Sequence, residues 1–347
     1  MPNERSAPKG AARGLDSGTP FAVPAPGRAF CAVPTAFGTR LGAMDDTLAF
    51  EALLRQLPTG SVAAYRGPRD GAPIHVSGPA EPLPVFSVTK MFVAAGVLRA
   101  VDAGLLTLAD PLASRLPGAP TGCTIAQVLT HTAGLGNYTA NPDYQHAINA
   151  DPGEPWELEE ISAASTPEKP GTFSYGNTGY WYLGAMLEGI TGMSLGQYLH
   201  REIFEPADMA STRYPEPETS LTPSGYSTLW AGPAGAAFST AADLLGFGDL
   251  FADSNPLFPS ALSNAARAAF MDSVPVQAPA PWKEPRYGAG VMIDAGLGLW
   301  GHGGSGPGYR SAVFTSPATG AAAALICPGQ TDFRPESALI SLLGSHG

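Results

Sequence analysis

The feature that most constrains the fold is an apolar stretch from Val88 to Val101, which follows the short segment 84–87. Nearly every position in it is Val, Met, Phe, Ala or Leu, and the exceptions are Thr89, Lys90, Gly96 and Arg99. A helix that is apolar on all faces has no side for water, so its place is in the middle of a core. The stretch therefore predicts a central buried helix that begins just after an extended segment ended by Pro84.

Ser87 and Lys90 fall in the first turn of this predicted helix. A spacing of three residues puts the hydroxyl and the amine on one face, beside the partial positive charge of the helix start. A serine nucleophile needs a neighbouring base, and burial would favour the neutral amine of Lys90. The motif alone also fits an N-terminal cap with a lysine that reaches solvent, so both interpretations stay open at this point.

Composition describes a compact globular protein with a net acidic charge. Of the 347 residues, 44% are hydrophobic and 14% are charged, which is typical of a chain with a large core and not of a disordered one. The net charge is -11, and no dense cluster of Lys and Arg occurs. We therefore expect neither nucleic acid nor an anionic membrane surface as a partner.

The sequence predicts no metal, no organic cofactor and no membrane insertion. The three cysteines lie far apart without a C-x-x-C pair, and the six histidines include no H-x-x-x-H pair. No apolar run approaches the roughly 18 residues of a membrane-spanning helix. No apolar segment typical of a secretion signal follows the first residues, so a cytoplasmic location is expected, with an extracytoplasmic one left open. The oligomeric state is not predicted.

The order of predicted elements indicates an α+β fold. Residues 1–42 are rich in Ala, Pro and Gly without periodicity and predict an irregular N-terminal extension. Strand patterns occur within 43–105 and again within 280–347, whereas 106–279 contain short helical pieces joined by Pro- and Gly-rich loops. This order predicts one antiparallel sheet built from both chain ends and flanked by helices, with a mainly helical region inserted between them.

Local patterns place the individual elements. Beside the central helix, helices are predicted at 44–57, 124–129, 179–189, 195–200, 240–250 and 335–344. Strands are predicted at 61–66, 73–77, 287–293, 298–300, 310–315 and 321–326.

Two further stretches carry residue types that suit a catalytic site. Pro170 to Asn177 delivers Tyr175 and Asn177 two positions apart, so that in an extended segment both side chains point the same way. Leu299 to Gly308 places His302 inside a glycine cluster next to a strand, which suggests backbone that a ligand can approach. Each stretch alone is also typical of ordinary turn and loop chemistry.

The three stretches in this order resemble the serine hydrolases of the penicillin-recognising family, which comprises class C β-lactamases, D-alanyl-D-alanine carboxypeptidases, D-aminopeptidases and related esterases. That family carries Ser-x-x-Lys, then Tyr-x-Asn, then Lys-Thr-Gly or a His-x-Gly variant. The matching residues here are Ser87-Val88-Thr89-Lys90, Tyr175-Gly176-Asn177 and His302-Gly303-Gly304. Segments at 104–111, 129–135, 203–206, 237–244 and 287–290 are similar too, so the resemblance runs from about Met44 to the C-terminus and implies a β-lactamase-like fold.

The resemblance implies a role for each matched side chain. Ser87 would be the nucleophile, with either Lys90 or Tyr175 as the first base and Tyr175 passing a proton to the leaving group. Asn177 would hold Lys90 or an amide of the substrate by hydrogen bonds. His131, in the similar segment 129–135, is expected to have a structural role.

The resemblance also implies an oxyanion hole made of backbone groups. Its two donors would be the N–H groups of Ser87 and Ser305, and such donors typically contribute about 3 kcal/mol each to transition-state stabilisation. Gly303 and Gly304 would let that strand approach the acyl group closely. His302 stands where many β-lactamases have a lysine, and a neutral histidine offers less to a substrate carboxylate.

The function expected is that of a serine hydrolase that forms an acyl-enzyme without a cofactor. Its substrate would be an ester or amide of a small molecule or short peptide, as in esterases and D-amino-acid amidases or peptidases. β-Lactamase or D-alanyl-D-alanine carboxypeptidase activity is the alternative within this class. A catalytically silent binding or sensor protein with the same fold is the alternative of another class.

Overall fold

The computed structural model describes residues 46–68, 74–251, 262–329 and 331–344, so the predicted extension at 1–42 lies outside the described residues. The helices are α1 (Asp46–Leu54), α2 (Thr89–Asp102), α3 (Leu112–Arg115), α4 (Ile125–Leu129), α5 (Pro142–Ala150), α6 (Leu158–Ala163), α7 (Thr178–Thr191), α8 (Leu195–Leu199), α9 (Ala241–Gly246), α10 (Asn264–Met271) and α11 (Pro335–Leu343). The strands are β1 (Val62–Arg66), β2 (Ile74–Ser77), β3 (Leu83–Pro84), β4 (Phe238–Ser239), β5 (Val274–Pro275), β6 (Pro285–Tyr287), β7 (Met292–Asp294), β8 (Leu299–Gly306), β9 (Tyr309–Thr315) and β10 (Ala322–Pro328).

An eight-stranded antiparallel sheet joins the two ends of the described chain. Its strand order is β2-β1-β10-β9-β8-β7-β6-β5, so β1 from the first part pairs directly with β10 from the last. The remaining two strands, β3 and β4, form a separate small ladder. The α+β fold with a sheet assembled from both chain ends is confirmed, and the chain between α2 and β5 carries helices α3 to α10 together with β4.

The two faces of the sheet are covered by different helices. Successive residues of a strand point to opposite faces, and along β9 this sends Val313 into one apolar cluster and Ala312 and Phe314 into another. The first cluster includes α2 and the inserted helices, whereas the second includes α1 and α11. The sheet is therefore a middle layer, and the face toward α2 is the one that matters for the site.

The central helix lies where the sequence places it. In α2 every residue from Thr89 to Leu98 is buried, as is Ala100, and only the end near Asp102 reaches the surface. Gly96 gives α2 its close packing, since a Cβ there would lie 3.2 Å from the side chains of both Leu199 and Tyr198. Burying apolar surface stabilises a fold by about 25 cal/mol per Å², so the burial of α2 makes this helix a main stabilising element.

Two predicted strands differ from the structure, both near glycines. The strand predicted at 287–293 is two strands, β6 and β7, joined by a tight turn in which Gly290 has a φ of +70°. The strand predicted at 298–300 continues as β8 to Gly306, so the glycine cluster is sheet and not loop. Glycine has a low strand propensity, and the pattern therefore hides this part of the strand.

Helix ends also differ by a few residues. Of the helix predicted at 44–57, the described part is α1, which ends at Leu54. The helix predicted at 240–250 is α9 up to Gly246 followed by a 3₁₀ helix at Phe247–Phe251. Ser87 lies in a 3₁₀ turn at Phe86–Val88 that leads into α2, two residues before the first residue of the α-helix.

Candidate active site

Ser87 sits on a sharp turn just before α2. The preceding residue, Phe86, has a φ of +44°, a left-handed conformation that is costly for a residue with a bulky side chain. The turn is held by its backbone, since Val85 N–H donates to Ala237 O at 3.0 Å and Val88 N–H donates to Val85 O at 3.2 Å. Ser87 itself is half-buried, so its hydroxyl is held in place while solvent still reaches it.

Lys90 is fully buried, with an exposure of 0%. Its Nζ lies 2.7 Å from Asn177 Oδ1, 2.9 Å from Ala234 O and 3.1 Å from Ser87 Oγ. An amide oxygen and a carbonyl oxygen can only accept, so two N–H groups of Lys90 point at these two atoms. The third position of the nitrogen therefore faces the Ser87 hydroxyl.

Burial lowers the pKa of Lys90 well below its ordinary value. The neutral amine has two N–H groups and one lone pair. With both N–H groups directed at Asn177 and Ala234, the lone pair is left for the Ser87 hydroxyl to donate to. This is the geometry of a nucleophile beside its base.

Tyr175 comes from the loop that precedes α7 and lies over the amine of Lys90. Nζ of Lys90 is 4.9 Å from the centre of the Tyr175 ring. Burial raises the pKa of the Tyr175 phenol above its ordinary value, and a hydrogen bond with Ser87 acts in the opposite direction. Burial thus favours the protonated phenol of Tyr175 and the neutral amine of Lys90.

Asn177 is oriented by a residue that the sequence analysis did not single out. Asn137 Oδ1 accepts hydrogen bonds from both the backbone N–H and the Nδ2 of Asn177, each at 3.2 Å. This fixes which end of the Asn177 amide points at Lys90, because Nδ2 is turned to Asn137 and Oδ1 to the amine. An asparagine in a Gly-rich loop is usually turn chemistry, so no local signal distinguished Asn137.

The glycines of β8 lie against the Ser87 turn. A Cβ on Gly304 would overlap Val85 O and would lie 3.1 Å from the backbone nitrogen of Ser87. A Cβ on Gly306 would overlap the Phe86 ring. Only glycine allows β8 to pass this close, so the strand packs directly against the backbone of the Ser87 turn.

β8 is anchored to the turn from its neighbour as well. Ser311 on β9, the register partner of Gly304, donates its hydroxyl to Val85 O at 2.7 Å. Pairing with β7 ends at Gly301, so the backbone from His302 to Gly306 has β9 on one side and an edge that β7 does not use on the other. Ser305, the predicted second oxyanion donor, lies half-buried on this segment.

His302 is buried, with an exposure of 1%, and both of its ring nitrogens have protein partners. Nδ1 lies against the carbonyl of Gly303 and Nε2 lies 3.0 Å from Tyr287 Oη. Burial lowers the pKa of His302 to about 3, so the ring is neutral at neutral pH. The expected neutral histidine is present, but its nitrogens are turned to the protein.

The structure thus brings the residues of all three motifs to one place around Ser87. Lys90, Tyr175 and Asn177 converge on one side of the hydroxyl, and the glycine strand β8 approaches from the other. Within the described part of the chain, no group of three or more His, Cys, Asp or Glu side chains is arranged to hold a metal ion. In the same residues, no helix has the length and hydropathy needed to cross a membrane.

Comparison with known proteins shows the family to which the chain belongs. The family model described as Beta-lactamase matches residues 55–343, so the chain belongs to the Beta-lactamase family, which places it among the serine hydrolases related to β-lactamases. Penicillin-binding protein 4* of Bacillus subtilis (strain 168) is 35% identical over 133 residues, which cover 37% of this chain and 29% of that protein. The chain thus matches less than a third of the length of this relative.

Longer alignments exist with other relatives. Penicillin-binding protein 4 of Amycolatopsis lactamdurans is 29% identical over 279 residues, which cover 70% of this chain and 71% of that protein. A solved D-stereospecific amidohydrolase from Streptomyces sp. superposes with a TM-score of 0.68 over 85% of this chain and 97% of that one, at 23% identity. This likeness confirms the β-lactamase-like fold.

Proposed function

We propose that the chain hydrolyses an ester or amide through an acyl-enzyme on Ser87, with Lys90 as the first base. The observation that carries this proposal is the hydrogen bonding of Lys90, whose two N–H groups have acceptors in Asn177 Oδ1 and Ala234 O while Ser87 Oγ lies 3.1 Å away. The Ser87 proton passes to the lone pair of Lys90 as Oγ bonds to the acyl carbon. The carbonyl oxygen becomes an oxyanion, for which the backbone N–H groups of Ser87 and Ser305 are the proposed donors.

The leaving group departs with a proton in the next step. The acyl–leaving group bond breaks, and Tyr175 donates its phenolic proton to the departing nitrogen or oxygen. The proton held by Lys90 then passes to the Tyr175 phenolate, whose ring centre lies 4.9 Å from Nζ, which restores both groups. Water then attacks the acyl-enzyme by the same path in reverse and releases the acid.

Substrates without a carboxylate next to the scissile bond fit this site best. A buried, neutral His302 with both nitrogens engaged offers no fixed positive charge to such a group. Arg310 is the second residue of β9 but is turned away. Its neighbour Ser311 faces Val85 O, so alternation along β9 puts Arg310 on the opposite face, where it donates to Phe333 O at 3.1 Å. Simple esters and amino-acid amides are therefore the first candidates, and the name of the similar D-stereospecific amidohydrolase supports an amide.

A second candidate is recognition of penicillin-like substrates. The names of two relatives, both penicillin-binding proteins, favour it. It differs from the first in requiring a binding partner for a carboxylate.

The test combines covalent labelling with a substrate panel. A fluorophosphonate should add one phosphonyl group to the intact protein and none to Ser87→Ala. p-Nitrophenyl esters and D- and L-amino-acid anilides should be turned over faster than nitrocefin. Labelling at a different serine would contradict the assignment of Ser87, and a preference for nitrocefin would move the penicillin-type reaction to first place. Absence of both labelling and turnover would indicate a silent binding protein.

A further inference from the structure

Three buried side chains outside the Ser87–Lys90–Tyr175 group link the second and third motifs. Gly176 N–H donates to His131 Nδ1 at 3.4 Å, His131 Nε2 lies 3.1 Å from Tyr287 Oη, and Tyr287 Oη lies 3.0 Å from His302 Nε2. The chain of hydrogen bonds ends at the Gly303 carbonyl, which faces His302 Nδ1. It therefore runs from the residue between Tyr175 and Asn177 to the glycine strand.

The two ends of this chain set the direction of every hydrogen bond in it. A backbone N–H can only donate, so His131 Nδ1 carries no proton, and the neutral ring has its proton on Nε2. A backbone carbonyl can only accept, so His302 Nδ1 carries the proton and Nε2 does not. Tyr287 must then accept from His131 and donate to His302, which is the one pairing that a single hydroxyl can satisfy on both sides.

A protonated ring would break this order. Were His302 an imidazolium, its Nε2–H and His131 Nε2–H would both point at the Tyr287 oxygen, and the hydroxyl proton would have to turn from His302 to the neighbouring Tyr180 hydroxyl. Burial favours the neutral form of both rings and lowers the pKa of each below its ordinary value. Electrostatics thus favours the neutral rings that the hydrogen-bond directions require.

The backbone at His131 is held in a conformation that serves this arrangement. His131 has a φ of +55°, which is uncommon for a residue with a side chain. Its carbonyl accepts from Ser174 N–H at 2.9 Å, so both the backbone and the ring of His131 bind the loop that carries Tyr175. Such an outlier persists only where the surroundings stabilise it.

We propose that Tyr287 is a positioning residue which, through His131 on one side and His302 on the other, fixes the loop of Tyr175 relative to the β8 strand. This inference rests on the proposed function, in which that loop supplies the proton donor and β8 supplies an oxyanion donor. Tyr287 contacts neither the nucleophile nor its base in this role. It acts by holding the two backbone segments in fixed positions relative to each other.

The series of hydrogen bonds from Gly176 to Gly303 is tested in the wild-type protein by ¹⁵N NMR of the histidine rings. The signals are assigned with His131→Gln and His302→Gln. We expect His131 with its proton on Nε2 and His302 with its proton on Nδ1, and both rings should be neutral at neutral pH. The opposite tautomer at either histidine would overturn the inference. This measurement needs no activity, so it separates failure of the inference from failure of the proposed function.

Kinetics of Tyr287→Phe test the positioning role. The ring and its packing are kept, and only the hydroxyl is lost. We expect kcat to fall about 10- to 100-fold with KM nearly unchanged, an effect of the size seen when a partner that orients a metal-bound histidine is removed. The Nε2 signal of His302 should shift in the same variant, because it loses its donor.

Tyr198→Phe is the matched control. Tyr198 is buried as well, and its hydroxyl donates to Gly96 O at 2.9 Å, outside the hydrogen bonds that join the two histidines to Tyr287. It should lose a similar amount of stability and keep kcat. If Tyr287→Phe retained wild-type kcat and an unchanged His302 signal, or if both variants lost kcat equally, Tyr287 would be an ordinary packing residue. Should the wild type have no turnover at all, the proposed function fails while the NMR result still stands.

Discussion

Lys90 Nζ lies closer to Asn177 Oδ1, at 2.7 Å, than to the Ser87 hydroxyl, at 3.1 Å. The amine is therefore held chiefly by an uncharged acceptor. A neutral acceptor leaves the buried amine free to lose its proton, whereas a carboxylate in the same place would stabilise the ammonium. The identity of residue 177 thus sets whether Lys90 can act as a base.

Asn177→Asp tests this relationship with a nearly isosteric change. The new carboxylate should raise the pKa of Lys90, so that a higher pH is needed to free its lone pair. We expect kcat/KM at pH 7 to fall at least about tenfold and the acidic limb of its pH profile to move upward, since a pKa change of one unit corresponds to about 1.4 kcal/mol. Asn177→Leu is the control, which should lower activity without moving the limb. An unmoved limb in Asn177→Asp would mean that Lys90 is not the titrating base.

Lys90 and Tyr175 are expected to act as one proton-transfer unit around the Ser87 hydroxyl. Losses within such a unit are not additive. Lys90→Ala and Tyr175→Phe should each lower kcat/KM severely, and the double variant should lose little more than either single one. Steady-state kinetics of all three variants measure this, and losses that multiply cleanly would contradict a shared path for the proton.

Gly304→Ala should abolish most of the activity by displacing β8. The added Cβ would overlap Val85 O and crowd the backbone nitrogen of Ser87, so the proposed oxyanion donors would move apart. Loss of one such donor lowers kcat about 10²- to 10³-fold, and we expect a fall of that order. Gly189→Ala is the control, because a Cβ at that position of α7 meets nothing within 4 Å. Full activity in Gly304→Ala would show that β8 does not form the site.

Glu336 gives the protein a predictable dependence of stability on pH. Burial raises the pKa of this carboxyl, at the start of α11 behind Gly303, from 4.5 to about 7. A raised folded-state pKa stabilises the protein below the unfolded value, and this contribution is lost as pH rises from about 4.5 through 7.

Glu336→Gln should therefore be close to neutral at pH 4.5 and stabilising at pH 8. Because the side chain retains some exposure, we expect a gain of about 1–2 kcal/mol at pH 8, less than the full shift would give at 1.36 kcal/mol per unit. Urea unfolding at both pH values measures it, with the exposed Glu51→Gln as the control. An equal effect at both pH values would mean that the carboxyl does not titrate in this range.

The sequence predicted the parts whose pattern reflects burial or a shared motif. The apolar run gave the position of α2 because an all-apolar helix can only be central, and the order of strands and helices predicted the sheet from both chain ends. The residues proposed for catalysis came from motif spacing and resemblance, and their roles stay predictions until the variants above are measured.

What the sequence could not predict depends on contacts between distant segments. The extent of β8 was missed because its glycines are required by close packing against Val85 and Phe86, more than 200 residues away, and glycine has a low strand propensity. Tyr287 was noted only as part of a similar segment, since a tyrosine in a strand usually packs. Asn137 was not singled out at all, because its hydrogen bonds to Asn177 appear only in the folded chain.

The close packing of β8 has a consequence for attempts to redesign specificity. Side chains at positions 303, 304 and 306 would collide with Glu336, Val85 and Phe86 respectively, so this wall of the site cannot be diversified. A library that randomises it would mostly sample misfolded variants. The aromatic cluster that contains Tyr138 and Trp181 also includes Phe86, and changes of shape at those two residues need not move a strand, so they leave more freedom for new substrates.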